Sequence, residues 1–323
     1  MWEIGQQIGG FEVVERIGRG GMAQLYRART TGPGDFARFA AIKVAHENLA
    51  EDEAGLNMFL DEARLTACIQ HPNVVRVEAL GEADGRHYIV MEYIDGVTLG
   101  QVLVGLHRKK QRMPVEIAVA IAGQVAAGLH AAHEGIDPRG RPLNLIHRDV
   151  SPQNILLTRS GHVKLIDFGV AKARHRLSRS TVGMVKGKLA YMAPEQLAMS
   201  ELDRRADVFA LGAVVWEMLA LKRLFLGKDD LATILNIREK AVPSLLGLRP
   251  ECSEKLDYVI ATMLSRNLEE RFATAAAARA AMLTSVPAAL AVEPSTIATM
   301  LPVKEEFASL DEDTEVMVRP SLA

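Results

Sequence analysis

Cysteine is scarce in this chain of 323 residues: Cys68 and Cys252 stand alone, far apart, in no spacing that suits a zinc or redox site. A disulfide scaffold is set aside, and both thiols read as buried, reduced side chains. Charge of one sign is not in excess either. Lys and Arg number 38 against 40 Asp and Glu, a net of −2, which sets aside a strongly basic nucleic-acid binder. Long apolar runs are missing. Val208 to Trp216 is closed by Glu217, well short of the about 20 residues that a membrane helix needs. Met1 to Gly10 carries no basic segment followed by an apolar one, so no secretory signal is read there. A cytoplasmic protein with neither nucleic acid nor membrane among its partners is expected. What is present is a globular composition, 49% hydrophobic and 24% charged. A chain this long buries roughly 75% of its unfolded surface and needs no covalent staples.

The first part reads as strands. Phe11 to Ile17 is β-rich, a glycine cluster follows, then Gln24 to Ala28, a connection over Thr31 to Asp35, and Phe39 to Val44. Met58 to Cys68 places Phe59, Ala63 and Ala67 on one side of a helix. Val74 to Ala79 and His87 to Tyr93 complete a small β-rich unit. After Asp95-Gly96 the pattern turns helical. Glu116 to Ala132 is apolar on most faces and so buried, with further helices at Val208–Leu221, Leu256–Leu264 and Ala273–Leu283. Past Val286, Pro287, Pro294, Pro302 and Pro320 recur around the acidic Asp311-Glu312-Asp313, which reads as a flexible tail, with a short docked helix as the alternative.

Several residues suggest chemistry. In Ile17-Gly18-Arg19-Gly20-Gly21-Met22-Ala23-Gln24-Leu25 strands flank the glycines on both sides, unlike the strand-glycine-helix order of a dinucleotide fold. A hairpin lid whose N–H groups approach phosphates fits, as does an ordinary glycine-rich hairpin. Lys43 on the third strand is a surface lysine taken alone. Beside such a loop it could reach phosphates if an anion held it, and Glu62 on the following helix could do so. Asp61 points about 100° away around that helix.

The densest signal is His147-Arg148-Asp149-Val150-Ser151-Pro152-Gln153-Asn154, followed by Asp167-Phe168-Gly169 and Ala193-Pro194-Glu195. With the glycine loop, Ala41-Ile42-Lys43 and Glu62 in the same order, the chain resembles the eukaryotic-like (Hanks-type) protein kinase family, in its bacterial Ser/Thr branch. The resemblance runs from about residue 10 to about residue 284. It implies an α+β fold of two lobes: an antiparallel sheet with one main helix over 10–95, a larger helical lobe over 96–284, and the tail over 285–323. It implies a protein serine/threonine kinase that binds ATP and Mg²⁺. Asp149 would take the acceptor's proton, Asn154 and Asp167 would hold the metal, and Lys43, paired with Glu62, would fix the phosphates. Ile17, Gly18, Gly20, Gly21, Ala23, Leu25, Ala41 and Leu156 would surround the nucleotide. Met91 would be the gatekeeper of the hinge, with Glu92 and Ile94 meeting adenine through their backbone. Asp207 would brace the catalytic loop and Glu195 would pair with Arg271. Implied partners are protein substrates and, for trans-autophosphorylation, a second copy of the chain.

The sequence departs from the family in three places. Ala23 replaces the third glycine. Ser151 stands where a lysine is usual, two residues after Asp149. Lys188 stands where Ser/Thr members carry threonine, in Gly187-Lys188-Leu189-Ala190-Tyr191. An exchange is expected, with the ammonium of Lys188 replacing the missing one and Ser151 replacing the hydroxyl, which adds Lys188 to the catalytic set. The alternative is a catalytically weak pseudokinase acting as a nucleotide-binding scaffold. The basic stretch Arg174 to Val182 occupies the activation-loop position. Ser180 and Thr181, with Ser178 behind them, are the candidates for phosphorylation, read out by Arg148. Asp137 to Pro142 suggests no function.

Overall fold

The computed structural model describes residues 2–19, 23–31, 37–50, 52–168, 187–198 and 201–302. One antiparallel sheet contains β1 (Gln7–Ile8), β2 (Phe11–Arg19), β3 (Ala23–Thr31), β4 (Ala37–Ala45), β5 (Val77–Ala83) and β6 (Arg86–Glu92), in the spatial order β1-β2-β3-β4-β6-β5. Strand alternation divides β4. Ala40, Ile42 and Val44 join Tyr26, Tyr88 and Val90 in a core on one face, while Ala41 and Lys43 point to the other. The first core reaches further back than the sequence suggested. Trp2 is only 5% exposed, with its ring 5.9 Å from Tyr26 and 5.6 Å from Tyr88, and Ile8 is buried beside it. The lobe therefore begins before residue 10, because the short β1 carries the N-terminal segment back across the sheet.

After α1 (Glu47–Ala50), the helix α2 (Glu53–Ala67) starts where the Asp52 carboxylate accepts the Gly55 N–H at 3.1 Å. It presses Phe59 and Ala63 onto Ile89 of the sheet, which aims Glu62 at β4.

The second lobe is helical. A three-stranded sheet of β7 (Gly96–Thr98), β8 (Ile155–Thr158) and β9 (Val163–Leu165) lies at its top. The helices are α3 (Leu99–Arg108), α4 (Val115–His133), α5 (Pro194–Leu197), α6 (Arg205–Ala220), α7 (Asp230–Glu239), α8 (Glu254–Met263), α9 (Ala275–Ser285) and α10 (Pro294–Ala298). α4 is long and apolar enough to cross a bilayer, yet most of it is buried inside the lobe, packed on α6 and α9. Both α4 and α6 are apolar around nearly their whole circumference, and they form the centre of the core.

The flexible tail expected from residue 285 does not hold for residues 287–302. A single-turn helix at Pro287–Ala291 and α10 pack on the lobe, burying Ala289 and Ile297. Both prolines occupy first-turn positions, where a missing N–H costs nothing, so they start these helices rather than break the chain. Pro294 lies so close to Gly161 that a Cβ there would stand 1.6 Å from its carbonyl oxygen; only glycine fits. Residues 303–323, with the acidic cluster, lie outside the described residues. Asp137 to Pro142 forms a closed turn in which the Asp137 carboxylate accepts the Arg139 and Arg141 N–H groups at 2.8 and 2.9 Å.

Candidate active site

Lys43 reaches out of β4 between two carboxylates. Its Nζ lies 2.9 Å from Glu62 Oε1 and 2.9 Å from Asp167 Oδ1, joining the sheet, α2 and the strand end that follows β9. Burial alone would lower the lysine's pKa. The negative charges of Asp167 and Glu62 outweigh it and hold the ammonium above the ordinary lysine range. Across the sheet Lys43 is opposite Leu25 and Ile89, while Ala41 is opposite Arg27 and Met91.

The loop ahead of β8 owes its shape to one buried carboxylate. Asp207, in the first turn of α6, accepts the His147 N–H on Oδ2 and the Arg148 N–H on Oδ1, both at 2.8 Å. Its Oδ2 is also 2.8 Å from the ring of His133 on α4. Burial pushes the Asp207 carboxyl up, but its interactions with His133 and His147 outweigh burial and leave it below the usual carboxylate range. Arg148 has φ +65° and Asp167 φ +55°, left-handed conformations that are costly for side chains of this size and persist where surrounding bonds over-determine them. His147 completes the frame. Its Nε2 is 3.1 Å from the Ile166 carbonyl, its ring lies 4.6 Å from that of Phe168, and its Nδ1 accepts the Asp149 N–H at 3.3 Å.

Asp149 is thereby presented at the cleft. The Asn154 amide donates to the Asp149 backbone carbonyl at 2.7 Å and to its Oδ2 at 2.8 Å, while Asn154's own carbonyl accepts the Ile166 N–H at 3.0 Å. That last bond brings Asp167 beside Asn154. Lys188 enters from the opposite side, its Nζ 3.2 Å from Asp149 Oδ2 and 3.4 Å from Asn154 Oδ1. Ser151 is 1% exposed, and its Oγ has no hydrogen-bond partner among the described residues. The sequence-derived pairing of the two therefore divides: Lys188 reaches the carboxylate, and the Ser151 hydroxyl bonds to neither.

The wall of the cleft collects the remaining expected residues. Gly18 pairs with Leu25 in the β2–β3 hairpin, and Ile17 stands exposed at the irregular step beside it. Ala23 is buried and Ala41 nearly so; Leu25, Ile94 and Leu156 are half-buried. On β8, Ile155 and Leu157 fill the helical core and Leu156 faces the other way. Glu92 is tied down, its carboxylate accepting from Lys164 at 2.6 Å and from the Arg76 N–H at 2.8 Å. Gly20 and Gly21 lie outside the described residues, as do Ser178, Ser180 and Thr181. A divalent metal fits the chemistry of the donor set: Asn154 Oδ1 and the Asp167 carboxylate are hard oxygens, and such a cation would complete its shell with water and phosphate. Among the described residues no group of three His, Cys, Asp or Glu converges, so a site for a softer metal is not formed there. A cavity of about 440 Å³ lined by Arg64, Cys68, Arg141 and Leu143 holds none of these groups.

The lower rim is anchored by two buried polar pairs. Arg271 donates to Glu195 Oε1 at 2.6 Å and Oε2 at 3.3 Å, as the sequence suggested. Tyr191 donates to Glu217 of α6, and Arg223 lies 3.8 Å from that carboxylate. Burial, and then the Glu217 charge, push the Tyr191 phenol up; burial also raises Glu217 itself, which Arg223 and Tyr191 only partly offset. His133, Glu217 and Arg223 were not singled out from the sequence. They sit in helical or loop positions with no motif of their own, and only their place in the fold brings them to the site.

The comparisons agree with this geometry. Residues 11–283 match the family model "Protein kinase domain". Among curated proteins, the chain is 40% identical over 272 residues to tyrosine-protein kinase MasK of Myxococcus xanthus, covering 84% of this chain and 42% of that protein. It is 33% identical over 264 residues to the probable serine/threonine-protein kinase PknB of Lactococcus lactis, covering 81% and 40%. The chain thus spans about two fifths of the length of these relatives. Among solved structures, the kinase domain of Mycobacterium tuberculosis PknI superimposes with a TM-score of 0.66 at 29% identity, covering 88% of this chain and all of that one. With an antiparallel sheet lobe and a helical lobe, the fold matches that kinase domain, and the chain belongs to the protein kinase family, in its bacterial Hanks-type branch.

Proposed function

We propose that this domain transfers the γ-phosphoryl group of ATP, bound with Mg²⁺, to a serine or threonine hydroxyl of a protein. The observation that supports the reading is the hold on Asp149. Its carboxylate is aimed by the Asn154 amide at 2.8 Å, on a loop that Asp207 braces, and Asn154 is tied through the Ile166 N–H to the segment that carries Asp167, the partner of Lys43. Phosphoryl transfer needs little covalent help from a protein; it needs positioned reactants and compensated charge. Asp149 accepts the acceptor's proton as its oxygen attacks. Lys43 holds the nucleotide phosphates. Asn154 and Asp167 supply the oxygens that would hold the metal, which when bound compensates phosphate charge.

The preference for Ser/Thr acceptors is supported by the similarity to the probable serine/threonine-protein kinase PknB, and a tyrosine acceptor is the second reading, favoured by the similarity to the tyrosine-protein kinase MasK at higher identity. Activation through the loop at Ser178, Ser180 or Thr181, phosphorylated in trans by a second copy, fits Arg148, whose buried Nε has no hydrogen-bond partner among the described residues. The test is transfer of labelled γ-phosphate to a generic protein substrate by the parent and by Asp149→Asn, followed by phosphoamino-acid analysis. Label on serine or threonine, lost in Asp149→Asn, is expected. Label on tyrosine replaces the acceptor assignment. An unlabelled substrate and an unlabelled chain leave only a nucleotide-binding scaffold.

A further inference from the structure

Charge that spreads over the transferred phosphoryl oxygens and the leaving oxygen must meet positive charge held in place. The cations of the cleft are unequally available for this. Lys43 is clamped between Glu62 and Asp167, at 2.9 Å from each, and Lys164 lies 2.6 Å from Glu92. Lys188 is different. Its ammonium touches the two groups that define where transfer occurs, Asp149 and Asn154, at 3.2 and 3.4 Å, and its side chain is only 19% exposed.

Resting on the kinase reading above, we infer that Lys188 is the cation that stabilises the phosphoryl group in flight, delivered from the turn after Gly187 rather than from the catalytic loop. Three observations support it. The first is distance: an acceptor oxygen bonded to Asp149 lies within a few ångströms of Nζ. The second is space. Ser151, two residues after Asp149, is small and buried, and among the described residues its hydroxyl bonds to nothing, so this position of the loop contributes no charge. The third is rigidity. Gly187 has φ +113°, and a Cβ there would lie 2.1 Å from Arg223 Nη1. Ala190 and Tyr191 are buried, Tyr191 donates to Glu217, and the Met192 N–H closes on the Leu189 carbonyl at 3.1 Å. The turn that carries Lys188 is thus fastened to α6, and its cation arrives with little freedom left to lose.

The step balances without a further reagent. The bond from the γ-phosphorus to the oxygen shared with ADP breaks, its electron pair leaving on ADP. The acceptor oxygen forms the new bond and its proton passes to Asp149. Lys188 keeps its protons and its charge throughout. In the substrate-free protein the same ammonium compensates Asp149, and the acceptor hydroxyl takes over that carboxylate when it binds.

The test compares the full chain with Asp149→Asn, Lys188→Met, Lys188→Arg, Lys188→Thr and Lys188→Thr combined with Ser151→Lys, under ATP and Mg²⁺ with one protein substrate. Lys188→Met is expected to lose on the order of 10²–10³ in kcat, as for other preorganised electrostatic donors. Its affinity for ATP stays within twofold, which also reports an intact fold. Lys188→Arg keeps at least a tenth of the parent rate. The double variant recovers at least tenfold over Lys188→Thr, because it returns a cation from the other side of the same site; a merely structural lysine would give no such rescue. Lys188→Met turning over within threefold of the parent overturns the inference. So do Met and Arg variants that are equally crippled, and a double variant no faster than Lys188→Thr. An inactive parent, or an Asp149→Asn as active as the parent, instead overturns the kinase reading itself.

Discussion

Replacing Asp207 by asparagine tests how the catalytic loop is held. The two carboxylate oxygens accept from the His147 N–H, the Arg148 N–H and the His133 ring, each at 2.8 Å. An asparagine has one acceptor oxygen, and either orientation turns its NH₂ group towards a backbone N–H. One buried donor is left facing another, at about 1–3 kcal/mol, and the remaining bonds lose the strength that ionisation gave them. Arg148 then lacks the bond that helps hold its φ at +65°. A total of about 3 kcal/mol corresponds to a fall in melting temperature of about 4–5 °C, at an unfolding entropy of about 2.1 cal/mol/K per residue over this chain. Asp149 follows Arg148 directly, and a displacement of the order of 1 Å there costs about 10²-fold in turnover. Thermal unfolding by circular dichroism gives the first quantity and initial phosphorylation rates the second. A variant that melts within 2 °C of the parent and turns over within threefold of it would refute the reasoning.

The same residue sets a pH dependence. Its folded pKa lies below the ordinary aspartate value of about 3.9, so its stabilising contribution is present above that pH and is lost as pH falls through the folded value. Urea unfolding should show a parent-to-Asp207→Asn difference that shrinks below about pH 4. Removing the partner of a buried guanidinium is more severe. Glu195→Ala strands Arg271 and should cost about 3–5 kcal/mol, read as a lower urea midpoint with unchanged slope. Trp2→Ala should destabilise by about 3–5 kcal/mol, measured by thermal unfolding, because the ring fills the core against Tyr26 and Tyr88. A chain starting at residue 10 should lose at least as much.

The candidate site residues were legible because chemistry restricts residue type and spacing together. The structure brings Lys43 to Glu62 and Asp167, and Asn154 to Asp149. Elements held by packing were harder to read. α3 contains Gly100 and Gly105, weak helix formers, and its one clear local signal, the Thr98–Gln101 capping box, was passed over. α7 buries only Thr233 and Ile237 and exposes Leu231 and Leu235, so it shows no apolar stripe. Pro287 and Pro294 read as breakers because a proline at a helix start and one in a loop look alike until a buried partner such as Ile297 is known. The contact between Lys188 and Asp149 spans 39 residues of chain. A substitution pattern at two positions suggested it, but the idle hydroxyl of Ser151 could be found only in three dimensions.

The central position of α4 carries a cost during synthesis. Its 19 residues hold a single charged side chain, Glu116, and are shielded in the finished protein partly by α6 and α9. The first residue of α9, Ala275, is made 142 residues after His133. At about 5–20 residues per second, this oily segment waits roughly 7–30 s on the ribosome for α9. Chaperone occupancy of nascent chains stalled between these helices should therefore peak, and fall once α9 has emerged.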